Sequence, residues 1–309
     1  MVEFANGPGN ARAPAQLAGS SPARQCRICR STHGRSFERE GFAWFNCRNC
    51  RTTQKVLSRQ EYELLNPSYD PGLFLDSLGR DQIERYIQVP TASRILAHAA
   101  RHMLRSAAAP FSPPLFLDIG CGMGAYLVAA RRLGYDVLGF EPSKDHARLA
   151  MKHFNLPIVA DYFTRAAVSG RTFDLVMLSH VIEHIYDPPA FLREVLSVLK
   201  PGGVLVILTP NNESFLARML GKAWPMLAPV DHVSLLGPTA FGHFKLQHVN
   251  SIHHSSTEYP YETAAAAVAA IRRTIRLSRA GAEKNSGASR TQQPPLLRNP
   301  GVAGSLAGC

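Results

Sequence analysis

Between residues 115 and 209, short apolar runs alternate with longer amphipathic stretches. Leu115-Phe116-Leu117-Asp118-Ile119 has strand length, and Ala125 to Leu133 follows with apolar side chains at helical spacing. The same reading predicts strands over 135–140, 157–160, 173–179 and 203–209 and helices over 143–154 and 187–200. Strands separated by helix-length segments pair in parallel through right-handed crossovers. Phe173 to Leu178 is apolar enough for a strand covered on both faces. Gly134 marks the end of the first helix. Asp187-Pro188 caps and starts the last one, and Lys200-Pro201-Gly202-Gly203 stops it.

The flanks are less regular. Ser58 to Leu65 predicts a short helix ended near Asn66-Pro67. Residues 81–106 carry Ile83, Ile87, Ile95, Leu96, Ala99, Met103 and Leu104 at helical spacing, interrupted at Pro90, which predicts two joined helices. After Pro210, Gly237 to Phe241 reads as a helix start and Phe244 to Val249 as a strand. Residues 262–278 read as an arginine-rich helix, no further strand is expected, and low-complexity sequence begins at Gly281.

The chemistry concentrates where the first strand of the core ends. Asp118 leads directly into Gly120-Cys121-Gly122-Met123-Gly124, and a helix follows. Glycines permit positive φ and close approach of a ligand, and the helix behind offers free N–H groups. The dinucleotide fingerprint is G-x-G-x-x-G, whereas this turn is G-x-G-x-G with an acid two residues ahead. A carboxylate there repels a pyrophosphate and suits an ammonium. A second acid, Glu141, comes 23 residues later at the end of the next strand, where such units present a carboxylate to ribose hydroxyls. An amino-acid end, a ribose and little phosphate describe S-adenosylmethionine (SAM) better than NAD.

On these residues the chain resembles the class I SAM-dependent methyltransferases over roughly 90–237. The resemblance rests on L-D-I-G-C-G-M-G (117–124), F-E-P-S (140–143), F-D-L-V-M-L-S-H-V-I-E-H-I (173–185) and L-K-P-G-G-V-L-V-I-L-T-P-N (199–211). It implies that Asp118 with the backbone of Gly120 and Gly122 holds the methionine end of SAM. Cys121 and Gly124 complete that turn, Cys121 as a small filler. Glu141 accepts from the ribose hydroxyls, Asp161 receives the adenine amine with Tyr162 beside the ring, and Ser179 faces the sulfonium. His180 and His232 are the candidate general bases, and His184 is a weaker one. Tyr62, Tyr69 and Tyr86 are candidates to line a lid over the cofactor. The family ends its sheet with a helix and an antiparallel hairpin, which this sequence does not plainly contain.

Six cysteines are present, and four form Cys26-x-x-Cys29, seventeen residues, Cys47-x-x-Cys50. Paired knuckles at this spacing mark a tetrathiolate zinc site, closed and therefore structural. Redox-active dithiols and unliganded thiols are the alternatives. Some 30 residues bury too little surface to fold unaided, so the metal would supply most of the ribbon's stability. Trp44 and Phe45 are its expected miniature core. His33 could substitute as a ligand but is not needed.

Charge changes the picture only at the ends. The net charge is +11, yet residues 61–270 hold seventeen Lys/Arg against nineteen Asp/Glu. Residues 21–60 hold nine against two, and 271–309 hold seven against one. The absence of an apolar run near ~20 residues or of an apolar N-terminal segment leads us to expect a soluble, cytoplasmic protein. The expected plan is a disordered 1–22, a zinc ribbon at 23–57 and a helical linker or lid at 58–109. A SAM-binding domain at 110–255 and a basic helix with disordered tail at 256–309 complete it. In fold class this is α/β, a Rossmann-like class I methyltransferase sheet preceded by a small zinc ribbon, with an irregular C-terminal tail.

Three functions compete. The first is methyl transfer to a small-molecule or sugar-type acceptor. The second is RNA methylation with the basic ribbon holding nucleic acid. Against it, Ser179-His180-Val181-Ile182 replaces the Asn/Asp-Pro-Pro-Tyr/Phe motif that base N-methylating enzymes use. The third is a non-catalytic SAM-fold binding module.

Overall fold

The computed structural model describes residues 25–65, 79–101, 112–227, 231–244, 249–259 and 268–277. The chain begins with an antiparallel ribbon of β1 (Gly34–Arg39), β2 (Phe42–Cys47) and β3 (Thr53–Lys55). Helices α1 (Arg59–Leu64), α2 (Arg80–Tyr86) and α3 (Val89–Ala100) follow. The core then runs β4 (Leu115–Ile119), α4 (Ala125–Arg132), β5 (Asp136–Phe140), α5 (Lys144–Phe154) and β6 (Ile158–Val159). It continues through β7 (Phe173–Ser179), α6 (Pro188–Ser197), β8 (Leu199–Leu208) and α7 (Phe215–Leu220). The last elements are β9 (Ser234–Leu235), α8 (Pro238–Gly242), β10 (Val249–Tyr259) and β11 (Val268–Leu277).

The main sheet has the order β10-β11-β8-β7-β4-β5-β6. The pairs from β8 to β6 are parallel, and β11 lies antiparallel to both β8 and β10. From β4 the chain winds one way to β5 and β6, then crosses back to β7 and β8. The switch point therefore lies between β4 and β7, and ligands of such sheets bind outside the carboxyl ends of these strands.

The sequence explains the local structure. In β7, Phe173 and Leu175 to Leu178 are all inaccessible to solvent, because helices cover both sides of a parallel sheet. Asp174, its polar exception, accepts from Leu115 N (2.7 Å) and pairs with Lys200 Nζ (2.7 Å), tying β4, β7 and β8 together at their outer ends. Ser143 Oγ accepts from His146 N to cap α5, and Asp187 Oδ1 accepts from Ala190 N to cap α6. A Cβ at Gly139 in β5 would lie 2.6 Å from Leu127 Cδ1 and 2.8 Å from Cys121 Sγ, so only glycine lets α4 and the glycine turn pack there.

Three expectations need correction. Residues 268–277 form a strand, not an arginine-rich helix: Val268, Ile271, Thr274 and Ile275 are β-branched, and β8 offers an edge to pair with. The sheet thus has the closing hairpin that the sequence seemed to lack, and a boundary at 255/256 falls inside β10. The ribbon is also not a free-standing module, since β3 pairs with β9 at Thr53↔Leu235 and Gln54↔Ser234. The expected disordered ends, Tyr69 and the strand start at 245–248 lie outside the described residues.

Candidate active site

Both halves of the candidate site hang from the carboxyl ends of β4, β5 and β7. Gly120, Gly122 and Gly124 all have positive φ (71°, 52° and 84°), as the turn requires. The turn is latched from β5. Phe140 O accepts from Gly120 N (2.8 Å) and Cys121 N (3.0 Å). Glu141 accepts from Gly122 N through Oε2 (2.7 Å) and from Ser143 N through Oε1 (2.8 Å). The amides of Gly120, Cys121, Gly122 and Gly124 are therefore engaged inside the protein.

Asp118 is fully buried, and neither of its carboxylate oxygens has a hydrogen-bond partner among the described residues. Burial, then the charge of Glu141, pushes its carboxyl well above the usual range. An unsatisfied buried carboxyl beside a second acid costs stability by itself, and a cationic donor would relieve both terms. Cys121 is buried, and its thiol is also pushed up, first by burial and then by Asp118 and Glu141, as suits a filler and not a nucleophile. Asp161 and Tyr162 lie exposed after β6, with Asp161 Oδ1 accepting from Tyr162 N (2.7 Å), and Phe163 beneath them meets Phe140 edge-on.

Ser179 ends β7 half-buried. His180 follows with φ 55°, a conformation uncommon for a side chain with a Cβ, and its amide donates to Leu208 O (2.9 Å). Its ring Nδ1 lies 3.1 Å from Glu183 Oε1, and its side chain is 48% exposed. Glu183 is fully buried, and Thr209 Oγ1 donates to its other oxygen (3.0 Å). Burial alone would raise Glu183. The hydrogen bond and charge of His180, with the charges of His184 and His232, outweigh it and hold the carboxyl at about 2. Burial likewise opposes protonation of His180, but Glu183 overrides it and the imidazole lies above its ordinary value.

His184 and His232 stand on the other side of Glu183. Their rings meet edge to face with centroids 5.0 Å apart. His184 Nδ1 donates to Asp231 O (3.1 Å), and His232 Nδ1 to Met226 O (2.8 Å), since a carbonyl only accepts. Burial pulls His232 below its ordinary value. Glu183, His184 and His232 offer atoms within 4.8 Å of one another, and His180 Nδ1 is hydrogen-bonded to the same carboxylate. Glu183 is the residue that sequence reasoning undervalued. A carboxylate inside a predicted apolar segment, three residues after a histidine, was the available signal.

The four knuckle cysteines converge as the spacing predicts. Cys26 Sγ lies 3.4 Å from Cys50 Sγ, Cys29 Sγ lies 3.5 Å from Cys47 Sγ, and all four sulfurs fall within 4.8 Å of one another. These separations exceed a disulfide bond of about 2.05 Å and approach the ~3.8 Å edge of a tetrahedron with ~2.3 Å metal–sulfur bonds. Each knuckle ends in a left-handed arginine, Arg30 (φ 62°) or Arg51 (φ 60°), which turns its two sulfurs inward. Hydrogen bonding with Cys50 holds the Cys26 thiol down, the same bond pushes Cys50 up, and burial pushes Cys47 up. Trp44 and Phe45 are buried as expected. Tyr62 packs on Tyr186 at 5.3 Å between centroids.

A cavity of about 330 Å³ opens at the ribbon seam beside Arg48, Arg51, Glu213 and Arg218. Neither Asp118 nor Glu141 lines it, so it is separate from the glycine turn.

Residues 92–244 match a family described as "Methyltransferase domain". Over those residues the chain is similar to methyltransferase domains. Over 128 residues it is 36% identical to a ubiquinone biosynthesis O-methyltransferase of Cereibacter sphaeroides, covering 39% of this chain and 52% of the relative. A protein of the same name from Parvibaculum lavamentivorans is 37% identical over 108 residues, or 33% of this chain and 43% of its own. The chain thus spans about half the length of the curated relatives it matches. Among solved structures, the Burkholderia thailandensis 1,6-didemethyltoxoflavin-N1-methyltransferase superposes with a TM-score of 0.48 at 15% identity, covering 80% of this chain and 99% of its own. Among the described residues no helix is long and apolar enough to cross a membrane.

Proposed function

We propose that this chain transfers a methyl group from SAM to a hydroxyl of a small-molecule acceptor. The observation that carries the reading is Asp118: a buried carboxyl with two unpartnered oxygens, next to Glu141 at a glycine turn. Those residues fit the ammonium and ribose of SAM. Asp118 would take the ammonium, the turn 120–124 would lie under the methionine end, and Glu141 would add ribose hydroxyls to its two backbone donors. Asp161 and Tyr162 would border the adenine, and Ser179 the reacting centre. Bound SAM supplies a methyl group on a positively charged sulfur that is already a good leaving group.

The protein then needs chiefly to align an acceptor, exclude water and take a proton. His180 would carry that last task. Glu183 holds its Nδ1, which leaves Nε2 for the acceptor, and the half-exposed ring lies at the end of β7 beside the switch point. His232 is the alternative base, neutral because it is buried, with Nδ1 fixed by Met226. The names of the relatives support an oxygen acceptor. The thiol cluster fits a closed zinc ion that stabilises the ribbon.

The RNA reading loses support from where the ribbon's charge goes. Lys55 is buried under the rings of Phe42 and Trp44, Arg51 pairs with Glu213, and Arg59 pairs with Glu63. The test is incubation with methyl-labelled SAM and either fractionated small metabolites or total RNA. Label in a small organic acceptor as a base-stable ether is expected. Label in RNA, or in neither pool, would overturn the proposal.

A further inference from the structure

The seam between the ribbon and the methyltransferase domain is built from specific polar contacts as well as apolar packing. Arg27, between the first two knuckle cysteines, donates from Nη1 to Lys55 O (3.0 Å) and from Nη2 to Val233 O (2.7 Å) and Ser234 Oγ (3.2 Å). Its guanidinium lies 4.8 Å from the centre of the Tyr186 ring, and its amide donates to Gln54 Oε1 (2.9 Å). Lys55 N donates to Val233 O (3.0 Å). On the opposite side Val233 N donates to Glu183 O (2.8 Å), and Ser234 Oγ donates to Ile185 O (3.2 Å). Val233 and Ser234 are thus clamped between the ribbon and the Glu183–Ile185 segment. His232 and Asp231, which face His184, are the residues just before the clamp. Trp44 of the ribbon, Trp224, Leu227 and Val233 share one apolar cluster beneath it.

We propose that the ribbon is a positioning element of the acceptor side, in which Arg27 and the β3–β9 pairing fix residues 231–235 and so hold His232 and His184 against Glu183. The proposal rests on the methyltransferase reading for its functional meaning, but its geometry does not depend on that reading. It gives the thiol cluster a task. Folding the first knuckle aims Arg27, and the second knuckle, five residues before Lys55, sets the register of β3. A separately folded nucleic-acid reader would have no reason to place an arginine on a backbone carbonyl and a hydroxyl of its neighbour, Val233 O and Ser234 Oγ. Arg27 is partly buried and is held in place by these acceptors.

Two experiments on the full, metal-loaded chain test this. In the first, the imidazole resonances of His232 are titrated in wild type, Arg27→Ala, Arg27→Lys and, as a control on an exposed ribbon arginine, Arg48→Ala. The charged and titratable groups facing His232 are Glu183, His184 and Asp231. With metal content retained, Arg27→Ala should move the His232 midpoint up toward an ordinary histidine. Arg27→Lys should restore part of the shift, and Arg48→Ala should leave it unmoved. An identical His232 titration in wild type and Arg27→Ala would overturn the proposal.

The second experiment covers the case in which Arg27→Ala does not fold. Amide hydrogen exchange is followed in wild type before and after the metal is chelated. Exchange at Lys55 and Val233 should rise together by roughly tenfold or more, while Val176 in β7 stays protected and SAM affinity is kept. Acceleration at Lys55 with Val233 still protected would contradict the proposal, as would equal acceleration at Val176. Failure to bind SAM before chelation would instead count against the methyltransferase reading.

Discussion

Asp118 shows how a single side chain can be costly to the fold and useful to the site. Its carboxyl is raised by burial first and by Glu141 second, so over a window above the ordinary value of 3.8 the folded protein keeps a proton that the unfolded chain has lost. Stability therefore falls as pH rises through that window. Asp118→Asn should raise the thermal midpoint of the ligand-free protein at neutral pH and weaken SAM binding roughly ten- to hundredfold, the worth of a charge-assisted hydrogen bond. Paired thermal melts and calorimetric titrations check both signs, and a variant that loses stability or keeps its affinity would refute the assignment.

Glu183 works in the opposite sense. Its folded value near 2 lies below the ordinary 4.5, so the stability it contributes is present above 4.5 and is lost as pH falls toward 2. The raised value of His180 contributes below 6.5 and is lost as pH rises through its folded value. The pair is thus strongest between these limits. Glu183→Gln should cost about 2 kcal/mol in urea unfolding at pH 6, less than a fully buried pair because His180 is half-exposed. The difference from wild type should shrink at pH 3.

At the scale of elements, the close fit of β5, α4 and the glycine turn makes Gly139 the sharpest test. Gly139→Ala places a methyl group 2.6 Å from Leu127 Cδ1 and 2.8 Å from Cys121 Sγ. We expect a loss of about 1–3 kcal/mol in denaturant unfolding and a drop in SAM affinity, because the turn must shift with Cys121. What was legible in the sequence follows the same logic of locality. The apolar run of β7, the glycines after β4, the Asp187-Pro188 cap and the paired knuckles each carry their signal within a few residues. Residues 262–278 misled because alanines at helical spacing mimic a helix, while the edge of β8 that recruits 268–277 lies some 60 residues away. The two residues of β9 gave no signal at all, since only their pairing with β3 defines them. The burial of Glu183 was hidden for the same reason: its partners Thr209, Val233 and His232 come from later in the chain.

For the whole molecule, the charge of +11 resolves into parts with different uses. Within the ribbon, Arg27 and Lys55 are absorbed into the seam and Arg51 into an ion pair. A protein organised in this way should bind RNA weakly, with a log–log salt slope well short of that of a dedicated reader. Filter binding from about 50 to 200 mM salt measures it. The account as a whole stands on the proposed SAM site at the carboxyl ends of β4, β5 and β7, where Asp118, Glu141 and His180 lie. A crystal structure of the full chain soaked with S-adenosylhomocysteine tests this most directly. The account predicts density with the ligand's amino group against Asp118 and its ribose hydroxyls on Glu141. Density for that ligand elsewhere, or a cleft that takes up a nicotinamide dinucleotide instead, would contradict it.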